Sequence, residues 1–178
     1  MYPTAYQEYL VHFHGDRDYF ECHEILEEYW KSLSDETRSH VWVGLIQIAV
    51  GLYHHRRNNT AGAAKMLSSA VRILTEHETE VAALGLDPAA LKIALGTRVE
   101  QIAAGEPYTS LNLPIADEAL HTLCQTLCSE KGLVFGQPSN LADEYLIHKH
   151  TLRDRSDVIT ERQRNLDAKQ QHRGTAGA

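Results

Sequence analysis

Cysteine and positive charge are both scarce in this 178-residue chain. The three cysteines, Cys22, Cys124 and Cys128, are too few and odd in number for the disulfide framework of a small secreted domain. Lysine and arginine total 17 against 24 aspartate and glutamate, a net charge of −7. A field of that sign repels phosphate backbones, so nucleic acid is not an expected partner. No stretch approaches the roughly 20 apolar residues of a membrane span, and the opening MYPTAYQEYL lacks a cationic region followed by an apolar run. A cytoplasmic, non-membrane protein is expected. Period-two alternation is missing as well, which argues against a sheet. There is no phosphate-cradling glycine loop, no dinucleotide turn and no nucleophilic serine elbow.

Apolar residues instead recur at spacings of three and four, so the expected class is all-α: a compact helical bundle of antiparallel hairpins. Helices are expected near 3–13, 19–33, 37–57 and 61–77, then from Asp87 and Pro88 to about Ala104. Asp18 followed by Glu21 signals the second start, and proline at the first helical position signals the fifth. The segment VWVGLIQIAVGLYHH is apolar nearly all round, as in a central helix, and its hairpin with 61–77 has the look of a tetratricopeptide unit. GEPYTSLNLPIAD has too many proline interruptions for helix and is expected extended, before a short helix carrying Cys124 and Cys128. Those two cysteines share a helical face and are read as buried small hydrophobes rather than a metal pair. An all-helical core domain over 1–136 is expected, followed at 137–178 by a long charged C-terminal helix and a disordered tail, a surface available to a protein partner or a second copy.

The stretch YFECHEILEEYW carries the chemistry. At about 100° per residue, Cys22, Ile25, Leu26, Tyr29 and Leu33 share the apolar face, while His23 and Glu27 neighbour one another on its margin between Phe20 and Trp30. Glu24 and Glu28 point more toward water. On the central helix, His40, Gly44, Gln47, Gly51 and His54 form one stripe, and two glycines there invite a close neighbour. If that stripe faces the His23/Glu27 edge, then His23, Glu27, Gln47 and His54 converge as candidate ligands for zinc, manganese or iron. Glu24 is then the candidate general base acting on a metal-activated water. The alternative is a satisfied polar network that needs no cation. His12 and His14 are read as exposed loop histidines, Asp16 and Asp18 as turn and cap residues, and His55, Arg56 and Arg57 as cations meeting a helix dipole.

The chain from FHGDRDYFECHEILEEYW through GLIQIAVGLYHHRRNNTAGAAKMLSSAVRIL resembles the family called domain of unknown function 309. Its H-E-x-x-E-x-x-W motif stands here as His23, Glu24, Glu27 and Trp30. The resemblance implies a compact all-helical fold and no assigned activity, with those four residues, Gln47 and His54 as its candidate site. Two functions remain open: a protein-interaction adaptor built round a buried polar His/Glu site, or a metal-dependent hydrolase of a small substrate.

Overall fold

Four short polar side chains set the starts of four of the longer helices. Asp18 accepts the amide of Glu21 at 3.0 Å and opens α2 (Tyr19–Ser32). Asn59 caps α4 (Thr60–Glu76) through the amide of Gly62, and Asp87 caps α6 (Pro88–Ala103) through that of Ala90. Asp117 takes the amides of Ala119 and Leu120 at the head of α7 (Glu118–Glu130). Each cap satisfies an amide that the helix itself leaves without a partner. The remaining helices are α1 (Thr4–His14), α3 (Val41–Arg56), a short α5 (Glu78–Ala83) and two single turns, α8 (Glu144–Ile147) and α9 (Lys149–Leu152).

The computed structural model describes residues 1–152, 159–160 and 163–164. Within them there is no strand, only an isolated antiparallel bridge between Leu86 and Ile115. No helix among these residues is long and apolar enough to cross a membrane. The described chain falls into two units, Met1–Ile147 and the segment from His148 onward. In the second, α9 is one turn with the Thr151 hydroxyl bonded to the His148 carbonyl. Most of the long C-terminal helix and tail expected over 137–178 lies outside the described residues, and α8 and α9 are separate turns.

Helix α3 is the hub of the first unit, as its all-round apolarity requires: it packs on α4 and on α2, while α4 also packs on α6 and α1 on α2 and α7. Both pairings with α3 are antiparallel. Tyr29 meets Trp42 edge-on at 5.1 Å and Phe20 lies 6.3 Å from Tyr53, while Gly44 faces Leu74 and Gly51 faces Leu67. The glycine contacts correct the expected orientation of the stripe. A Cβ on Gly44 would lie 2.7 Å from a Leu74 methyl, and one on Gly51 2.6 Å from Leu67 Cγ. The two glycines admit branched side chains of α4 rather than opening onto α2.

Two other expectations shift. Residues 34–40 form turns rather than the first turn of α3, and the helix α5 follows α4 where none is expected. The stretch from Gly105 to Asp117 is extended, as anticipated, and Leu111 and Leu113 anchor it in the core. Cys22, Cys124 and Cys128 are free and fully buried, and burial pushes all three thiols up, keeping them inert.

Candidate functional site: the outer edge of helix α2

The Asp18 cap fixes where α2 begins, and the helical repeat then places His23, Glu24 and Glu27 at the margin of its buried face. His23 Nδ1 lies 3.0 Å from Glu24 Oε1, and its Nε2 lies 3.2 Å from Glu27 Oε2. The other Glu27 oxygen meets the Lys31 ammonium at 2.7 Å. That ammonium holds the Glu27 carboxyl below the usual range, with His23 acting in the same direction against partial burial. All three side chains are half-buried, His23 at 29% exposure. One ligand atom from each of the three lies within 4.8 Å of the others.

The walls are aromatic. Phe20 sits 6.2 Å from the His23 ring, and the Arg38 guanidinium covers Trp30 at 5.2 Å. Trp30 Nε1 and Gln47 Oε1 are both buried without a hydrogen-bond partner, which is uncommon for buried polar atoms. The donor set of one imidazole and two carboxylates fits a divalent ion of the zinc, manganese or iron type.

Of the residues expected to converge, His23 and Glu27 come together, and Glu24 joins them instead of standing toward water as a separate base. His54 does not join this group. It lies at the end of α3, where the Asn59 amide donates to its Nδ1 at 3.1 Å, so the ring serves the α3–α4 turn. Burial, then Arg57, lowers its pKa. Neither histidine of the first turn is a free loop residue. His12 pairs with Asp16 at 3.1 Å. His14 is fully buried, with Nδ1 on the Leu10 carbonyl and Nε2 accepting the Leu113 amide.

A second polar region carried no signal in the sequence. Arg56 is not a solvated cation at a helix end: its guanidinium turns inward, donates to the Arg17 carbonyl and Ser139 Oγ, and stacks 4.7 Å over Tyr19. Arg17 and Arg98 are buried with it. An arginine in a polar stretch looks exposed in sequence, and only the carbonyls that receive it reveal otherwise.

The chain belongs to the family described as Domain of unknown function (DUF309), which matches residues 6–66. Over 173 residues the chain is 50% identical to the protein named Uncharacterized protein YpuF of Bacillus subtilis (strain 168). The match covers 97% of this chain and 99% of that relative. No solved structure matches it.

Proposed function

We propose that the outer edge of α2 binds a divalent transition metal through His23, Glu24 and Glu27. The observation that carries this reading is the approach of one imidazole nitrogen and two carboxylate oxygens to within 4.8 Å of one another. Glu24 lies against Nδ1 of His23 and Glu27 against Nε2, so ligand bonds of about 2.0–2.2 Å to one ion require the imidazole or Glu24 to re-orient. Three protein ligands leave positions for water or substrate, the donor pattern of hydrolytic centres, and hydrolysis of a small substrate is the activity such a centre supports.

A second reading, a helical adaptor, rests on charge balance. Glu24, His23, Glu27 and Lys31 satisfy one another in sequence along α2 without a cation. An open cavity of about 320 Å³ lined by Tyr29, Leu33, Val41, Trp42 and Leu84 offers apolar surface to a partner's side chains.

Inductively coupled plasma mass spectrometry separates the two, on full-length protein purified without chelator beside the His23→Ala/Glu27→Ala variant. The metal reading expects near-stoichiometric zinc, manganese or iron in the wild type, lost from a folded variant. A wild type that is metal-free and takes up none of these ions when they are added overturns it and leaves the adaptor.

A further inference from the structure

Three guanidinium groups are buried near the extended stretch that begins at Gly105, and among the described residues none of them forms an ion pair with a carboxylate. Arg17, Arg56 and Arg98 are 1, 6 and 5% exposed. The ion pairs that arginines make among the described residues belong instead to Arg38 and Arg72. The three are anchored almost entirely by neutral oxygens. Arg17 donates to the carbonyls of Phe13, Leu111 and Gln137 and to Asn112 Oδ1 at 2.6 Å. Arg56 donates to the Arg17 and Leu146 carbonyls and to Ser139 Oγ, and its Nε is buried without a partner. Arg98 holds the Thr109 carbonyl and hydroxyl. Buried charge is costly unless an opposite charge accompanies it; among the described residues Glu106 acts on Arg98 as an opposite charge, while Arg17 and Arg56 form no ion pair with a carboxylate.

A cavity of about 420 Å³ opens at this cluster, lined in part by Arg17, Tyr108, Thr109, Ser110, Asn112 and Ser139. Each of its polar side-chain oxygens already accepts a hydrogen bond, and each side chain also carries a donor. Ser139 Oγ accepts from Arg56, Thr109 Oγ1 from Arg98, and Ser110 Oγ from the Ser139 amide at 2.8 Å. Asn112 Oδ1 accepts from Arg17, which leaves its amide hydrogens to donate. Tyr108 OH ties the hydroxyls together, 2.6 Å from Tyr19 OH and 2.8 Å from Ser139 Oγ. What remains is donors on the wall and uncompensated positive charge behind it, in a volume suited to a small molecule. Arg17 itself sits at φ 58°, a left-handed conformation that a non-glycine residue holds only when its surroundings enforce it.

We propose that this cavity is a binding site for an oxyanion, the phosphoryl or carboxylate group of a small soluble molecule. The anion supplies the missing counter-charge, and the Ser110, Ser139 and Asn112 donors select its oxygens. The site is separate from the α2 edge and does not depend on a metal.

The test is calorimetric titration of full-length, chelator-treated protein with inorganic phosphate and, in parallel, with succinate, each at constant ionic strength set with chloride. Saturable heat with either anion is expected, and the tighter of the two names the group, phosphoryl or carboxylate. Asn112→Asp retains the oxygen that Arg17 needs and places a carboxylate in the cavity, so the variant melts no lower than wild type yet binds at least about tenfold more weakly. Ser110→Ala, which leaves every arginine contact in place, binds several-fold more weakly. No saturable heat from either anion in wild type, or Asn112→Asp and Ser110→Ala both binding as wild type does, overturns the proposal.

Discussion

The α2 edge and the arginine cavity are both polar regions of one small bundle, built in opposite ways. At the edge, four polar side chains lie within nine residues of one helix, partly in water, each in contact with the next. In the cavity, like charges from α3, α6 and the turn after α1 are buried and held by main-chain oxygens. The first arrangement is cheap to form and easy to change, since exposed pairs contribute little. The second is tied into the fold: removing one guanidinium strands several buried carbonyls at once.

The sharpest way to break this contrast is Arg17→Met. It leaves the Phe13, Leu111 and Gln137 carbonyls and the Asn112 oxygen without their donor. A loss on the order of 4 kcal/mol is expected in urea unfolding at pH 7. A loss below about 1 kcal/mol would mean that the cavity is no more integrated than the edge.

Acid provides an intermediate effect through His14, which pins the cavity wall by accepting the Leu113 amide. Burial lowers its pKa from the usual 6.5 to about 4. The unfolded chain therefore takes up the proton first, and stability from this group is complete above pH 6.5 and drains away as pH falls toward 4. The difference corresponds to about 3 kcal/mol, read as a fall in the urea midpoint that a His14→Gln variant lacks. The same midpoint shift in that variant would assign the acid sensitivity to other groups.

The smallest effect belongs to the edge. Glu27→Gln removes the Lys31 pair and weakens the His23 contact, both partly in water, and costs about 0.5 kcal/mol in the same unfolding measurement. A cost above about 2 kcal/mol would make the edge a structural keystone and favour the adaptor reading over the metal.

How much of this was legible in sequence follows the same divide. The starts of α2 and α6 could be read from Asp18, Asp87 and Pro88, because a cap acts within three residues of itself. The closeness of His23 and Glu27 followed from a separation of four on one helix. The stripe containing Gly44 and Gly51 was rightly read as a place of close approach, but nothing local says which helix approaches, and α4 does. His54 shares that stripe and lies instead at a turn, bonded to Asn59. The short helix α5 had no cap or periodic run long enough to announce it.

The sequence by itself determined the helical class, most of the long helices' boundaries, the buried thiols and the nearness of His23 to Glu27, because each rests on interactions between residues at most a few positions apart. Only the tertiary structure decided which faces meet and that Arg17, Arg56 and Arg98 are buried beside the stretch that begins at Gly105. Arg17 and Asn112 touch across 95 positions of chain. Contacts at that separation depend on how the whole bundle closes, which no local spacing encodes.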